Sequence, residues 1–387
     1  MSGRPKVAIL GLDCAAPALV FDRFRDELPN LRRLMDEGCF GRLESTNPPI
    51  TVPAWACMMS SQDPGQLGIY GFRNRRDHSY DGYAIANAAA LDSDPLWAIL
   101  GRDGRPSIVL GVPPSYPPRP IHGVQVGCFL TPTTGRPYTH PPEVRDEIER
   151  VAPGYVVDVE HFRTDDKEGV LRRIYDKTTG HFAVARHLAT TRPWDLFAMV
   201  EMGTDRIHHG FWKFMDPAHR KHEPGHRFEH AIRDYYRFCD ARLGDLLDLL
   251  PRETTVLVVS DHGAKKLDGG LCFNEWLIDK GYLALKRYPD APTPIGRAEI
   301  DWSRTLAWGD GGYYGRLFMN VKGREPQGII EPSEYETVRS RLVADIEAIT
   351  DPAGRVIGSR AYRPEEIYRA RRGVPPDLLV YFGDLDW

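Results

Sequence analysis

The chain has 387 residues, 42% of them hydrophobic and 27% charged, and a formal net charge of −4. A chain of this size buries a full core, which excludes a small stapled module. Acids and bases are spread along it, which excludes a nucleic-acid polymer or a membrane surface as the expected partner and leaves a small molecule.

Six cysteines (Cys14, Cys39, Cys57, Cys128, Cys239, Cys272) are scattered without a C-x-x-C pair, a pattern of reduced packing thiols rather than of a disulfide framework. The apolar run after the basic N-terminal residues is too short for a signal peptide and stops at Asp13. No stretch approaches the roughly 18 apolar residues of a membrane span, so the expected location is the cytoplasm.

In chain order, the first strong element is Val7-Ala-Ile-Leu-Gly-Leu-Asp13, a short apolar run that ends in an acid. Ser107 to Val112, Trp194 to Met202 and Thr254 to Asp261 repeat the pattern. Runs this short and continuous predict parallel strands buried on both faces. Between them, Pro17 to Gly38 and Arg227 to Leu250 carry apolar residues at helical spacing. The alternation predicts an α/β fold with a mostly parallel central sheet flanked by helices. Residues 113–166 and 284–330, rich in Pro and Gly, read as inserted loops or a cap on a single domain.

Three acids fall where predicted strands give out: Asp13, Asp205 and Asp261. Ligands of an open α/β sheet bind beyond the carboxyl ends of its strands, so these acids are expected to converge. Two come with a histidine. In Asp205-Arg-Ile-His-His209, Asp205 and His209 share one helix face and can grip one cation, whereas Asp261-His262-Gly263 places a second pair on a turn. Each pair alone is commonplace; the argument rests on three strand ends agreeing.

Thr51 lies two residues before Pro53, at the start of a helical segment, where free N–H groups and the helix dipole favour an anion such as phosphate. Its hydroxyl becomes a competent nucleophile when bound to a divalent cation. The competing reading is a simple helix cap.

The order Asp13, Thr51-Val-Pro, Asp205-x-x-x-His209, Asp261-His262-Gly resembles the alkaline phosphatase superfamily, nearest to its nucleotide pyrophosphatase/phosphodiesterase branch. Pro64-Gly-Gln-Leu-Gly-Ile-Tyr-Gly-Phe72, Val112-Pro-Pro-Ser-Tyr-Pro-Pro118 and Phe211-Trp-Lys-Phe-Met-Asp-Pro217 add to it, so the resemblance spans nearly the whole chain. It implies an alkaline phosphatase-like fold and a hydrolase of phosphodiesters, pyrophosphates or related phosphoesters. It also implies two divalent ions, zinc with manganese as the alternative: Asp13, Thr51, Asp261 and His262 around one, Asp205 and His209 on the other. The implied reaction passes through a phospho-threonine at Thr51.

Two features depart from that pattern. The branch adds a further histidine near the C-terminus, and none follows His262; the run Val380 to Trp387 stops just after a strand-like segment, so the missing ligand is expected beyond it. A phosphate-contacting Asn is expected about twenty residues after the nucleophile, where gapless counting finds Phe72, with Asn74 as the substitute.

Other features are discounted. His208 points about 100° from His209 on a helix and reads as packing. Arg73, Arg75 and Arg76, with Lys265 and Lys266, read as solvated charge. His222, His226 and His230 are interrupted by Pro224-Gly225 and read as a polar turn. Cys57 lacks the Pro and Arg of a sulfatase nucleophile motif. The alternatives to the hydrolase are a phosphomutase or phosphonate-cleaving enzyme of the same superfamily, or a phosphate-ligand binding protein without catalysis.

Overall fold

The computed structural model describes residues 4–387. They group into two compact units, one of residues up to Gln62 with Ala86–Lys266, the other of Asp63–Ile85 with Leu267–Trp387.

The first unit is built on a six-stranded sheet of β1 (Val7–Leu12), β2 (Ser107–Leu110), β3 (Gly123–Val126), β4 (Thr139–His140), β5 (Leu196–Glu201) and β6 (Thr255–Val259). The spatial order is β4-β3-β2-β5-β1-β6. All pairings are parallel except the short β3–β4 edge. Side chains alternate between faces along each strand. Ala8, Leu10, Ile108, Leu110, Phe197 and Met199 join one core, whereas Ile9, Val109, Leu196, Ala198 and Val200 join another. Both faces are therefore covered, as the continuous apolar runs require.

Helices α1 (Pro29–Glu37), α2 (Thr51–Ser60), α3 (Lys167–Thr191), α4 (Gly203–Met215) and α5 (Ala231–Leu247) supply those covers. Trp55 and Met59 of α2 belong to one core, whereas Ile174 and Phe182 of α3, Ile207 and Phe211 of α4, and Tyr235 and Leu243 of α5 belong to the other. Gly11 permits the close approach of α2: a Cβ there would stand 2.5 Å from the Trp55 ring and 2.8 Å from Val200.

Three expectations need adjusting. The strand at Thr255–Val259 lies on the sheet edge and is only partly covered, with Leu257 exposed. The helical spacing of residues 17–38 is realised as a π turn (Ala18–Arg23), a 3₁₀ turn (Arg25–Glu27) and α1, because Pro29 drives Leu28 out of the helical region (φ −117°, ψ 72°). Part of residues 113–166 enters the sheet as β3 and β4.

The second unit holds a four-stranded sheet of β7 (Ala307–Gly311), β8 (Gly315–Met319), β9 (Arg360–Tyr362) and β10 (Leu378–Tyr381), ordered β9-β10-β8-β7 and antiparallel throughout. Leu317, Phe318, Leu342, Ile346, Leu378 and Val380 are among its core residues. Arg75 belongs here and is not solvated: it is buried, 3.4 Å from the Glu325 carboxylate and over the Trp308 and Phe318 rings. No described helix is long and apolar enough to cross a membrane.

Candidate functional site

Asp13, Asp205 and Asp261 follow the carboxyl ends of β1, β5 and β6, and all three are buried. Thr51 opens α2, and its side chain does not cap the helix. Its Oγ1 instead lies 3.2 Å from His262 Nε2. The cap reading therefore fails on geometry, and the hydroxyl is placed against the His262 imidazole.

His262 is oriented by its other nitrogen, because Nδ1 stands 3.0 Å from Gly263 O and a carbonyl can only accept. In the neutral ring Nδ1 is thus the donor, and the Nε2 lone pair faces Asp13 Oδ1 at 3.6 Å and Asp261 Oδ2 at 3.3 Å. Neither of those buried oxygens accepts a hydrogen bond. The opposite oxygens are held: Trp55 Nε1–H donates to Asp13 Oδ2 (2.7 Å), and the Cys14 N–H donates to Asp261 Oδ1 (3.1 Å). Each carboxylate thus has one fixed oxygen and one free oxygen turned toward the shared imidazole.

Buried anionic oxygens without partners are costly. Burial, and then the neighbouring Asp261 and Asp205 charges, push the Asp13 carboxyl well above its ordinary range. Burial pushes Asp261 up to about 6. A divalent cation would offset these charges, and a donor set of carboxylate oxygens and an imidazole nitrogen suits one. The atoms of Asp13, Asp261 and His262 lie within 4.8 Å of one another, as do those of Cys14, Asp205 and His262.

Asp205 and His209 are one turn apart on α4, with His209 Nε2 3.4 Å from Asp205 Oδ1. The helix starts at Gly203, whose N–H donates to Glu201 Oε1 (2.7 Å) and where a Cβ would strike the Tyr235 hydroxyl at 2.0 Å. Burial raises the Asp205 carboxyl, but His209 and Arg206 outweigh it and hold the group below the ordinary range. Arg206 donates to Asp205 Oδ2 and makes two further bonds to Asp158 at 2.8 and 2.7 Å.

Sequence reasoning missed Trp55, Arg206 and Cys14. Trp55 carried a signal, standing four residues after Thr51 on the same helix face. Asn74 lies in the second unit, where its amide accepts from the Tyr70 N–H and donates to Gly71 O, closing a turn. His208 is buried between Cys14 and Tyr236, and burial pushes it down to about 3. His226 stacks on Phe214, and the stretch around it forms turns.

The mostly parallel sheet flanked by helices matches the fold of alkaline phosphatase-like neighbours. Residues 7–387 match the family model for type I phosphodiesterase / nucleotide pyrophosphatase. The chain belongs to that family and is an enzyme of the phosphoric-ester hydrolase class. The phosphonoacetate hydrolase of Sinorhizobium meliloti, solved with phosphonoacetate, is similar in structure at 16% identity and TM-score 0.58, over 98% of this chain and 81% of that one. Human ectonucleotide pyrophosphatase/phosphodiesterase 5 is similar at 12% identity and TM-score 0.50, over 97% and 78%. No curated protein matches.

Proposed function

We propose that this protein hydrolyses a small phosphoester, of the phosphodiester or nucleotide pyrophosphate type, with Thr51 as nucleophile and two divalent cations, zinc or else manganese. The observation that carries the reading is the Thr51 hydroxyl at a helix N-terminus, 3.2 Å from His262 Nε2, the nitrogen that also faces the unpartnered oxygens of two buried carboxylates.

Asp13, Asp261, His262 and Thr51 would hold one cation, Asp205 and His209 the other. When bound, such ions lower the pKa of a coordinated hydroxyl and neutralise charge gathering on the phosphoryl oxygens. The chain's own residues do the rest. The Thr51 hydroxyl gives up its proton to solvent and Oγ1 attacks phosphorus; the new O–P bond forms as the bond to the leaving oxygen breaks, that oxygen takes a proton from solvent, and the phospho-threonine that remains is hydrolysed by water. Pro53 has no N–H, so Thr51 and Val52 supply the amides that the first turn of α2 turns toward the phosphoryl oxygens. Trp55 holds Asp13, and Arg206 holds Asp205, each by the oxygen a cation does not need.

Thr51→Ala, assayed with a chromogenic phosphodiester and the monoester of the same chromophore, is expected to abolish turnover with the fold intact. Retention of more than a small fraction of the rate would remove Thr51 from this role. Turnover of a phosphonate in preference to both esters would shift the reading to phosphonate cleavage.

A further inference from the structure

Cys14 follows Asp13 directly and adopts φ 62°, in the left-handed region that a residue with a side chain enters at a cost of about 1–2 kcal/mol. Such strain is tolerated where the surroundings fix it, and here the Cys14 N–H is tied to Asp261 Oδ1. The consequence is a thiol aimed inward. Cys14 is 4% exposed, and its Sγ lies within 4.8 Å of both an Asp205 carboxylate oxygen and a ring nitrogen of His262.

The surroundings of Sγ are polar. Gly263 O is 3.3 Å away and accepts the thiol proton, and His208 Nδ1 is 3.5 Å away. His208 Nε2 faces the Tyr236 hydroxyl at 3.2 Å. When that hydroxyl donates to Nε2, the neutral ring carries its proton on Nδ1, facing the sulfur. An N–H directed at sulfur is what a ligating thiolate uses as support. A packing cysteine needs none of this. His262 is shared with a second, separate group, that of Asp13 and Asp261, whose Asp13 Oδ1 and Asp261 Oδ2 are buried without hydrogen-bond partners.

We propose that Cys14 is a metal ligand, supplying a thiolate to the cation held at Asp205. The inference rests on the two-cation reading above and adds a sulfur donor to it. On binding, the Cys14 S–H bond breaks, the proton leaves to solvent, and the sulfur lone pair goes to the cation. Thiolate favours zinc and its substitutes cobalt and cadmium over magnesium or calcium, so the site becomes selective for softer ions.

The test uses the full chain carrying Cys39→Ser and Cys272→Ser, which removes the two exposed thiols. Cobalt(II) is titrated into metal-free protein. The expected result is a thiolate-to-cobalt charge-transfer band in the near ultraviolet, lost in both Cys14→Ser and Cys14→Ala and kept in Cys57→Ser. Should the Cys14 variants fold poorly, cadmium-113 resonance of the unsubstituted site decides by itself, since a sulfur ligand moves the signal strongly downfield. Cobalt bound without a sulfur band, or a band that survives in both Cys14 variants, overturns the proposal. An active enzyme binding two cations with no sulfur signature would remove Cys14 and leave the Thr51 reading standing, whereas no cation binding at all would remove both.

Discussion

Lys177→Met should destabilise the first unit severely at neutral pH. Lys177 on α3 and Glu201 at the end of β5 are buried, 1% and 0% exposed, with Lys177 Nζ 3.0 Å from Glu201 Oε1. That oxygen also accepts from Thr178 Oγ1 at 3.0 Å and from the Gly203 N–H, whereas Oε2 has no partner. Removing the ammonium leaves a buried carboxylate without its counter-charge, at a cost of about 3–5 kcal/mol. For a unit of this size each kcal/mol lowers the melting temperature by about 2–4 °C, so a fall of roughly 6–20 °C is expected by calorimetry. The pH dependence has a definite sign. Burial alone would raise the Glu201 carboxyl, but the Lys177 ammonium and the hydrogen bonds from Lys177 and the Gly203 N–H keep it below its ordinary value. The wild-type pair therefore contributes stability above the unfolded carboxyl's pKa, and that contribution fades as pH falls through the folded one. In the variant, protonation relieves the unpaired carboxylate as pH falls, so the deficit is largest near neutrality and shrinks toward acid. Adding Glu201→Gln should recover much of the loss. A single variant within about 1 kcal/mol of wild type would refute the reasoning.

Gly11→Ala places a methyl against the Trp55 ring and should cost about 1–3 kcal/mol in denaturant unfolding, with a loss of activity because Trp55 holds Asp13. Asp205→Asn removes an anionic donor and should lower the bound divalent metal measured by atomic absorption; unchanged content would count against its role. Burial, and then Lys177, push His181 down to about 3, so the fold favours its neutral form. That stability is present above the unfolded pKa near 6.5 and is lost as pH falls toward 3. His181→Gln should flatten the acid limb of the stability profile by up to about 1.4 kcal/mol per pH unit.

Much of the architecture was legible because parallel strands covered on both faces must be continuously apolar, as Val7–Leu12 is and as Leu196–Glu201 is up to its final acid. The edge position of Thr255–Val259 was not, since a run of the same composition serves in the middle of a sheet or at its margin. The break before α1 was written in Pro29 and overridden by the apolar spacing around it. At the candidate site, Asp13, Asp205 and Asp261 could be found because acids that end strands collect on one sheet edge. The partners of those acids could not. Arg206 looks like any helix arginine until Asp158, 48 positions away, is brought to it. Cys14 looks like packing until its backbone angle and the nearby imidazole are known.

Covalent trapping tests the central claim most directly: brief reaction with a chromogenic phosphodiester, acid quench, and peptide mass spectrometry. The adduct of the substrate's phosphoryl portion is expected on Thr51, absent without substrate and absent in Thr51→Ala. Rapid turnover with Thr51 always unmodified, or with the adduct on another side chain, would contradict it.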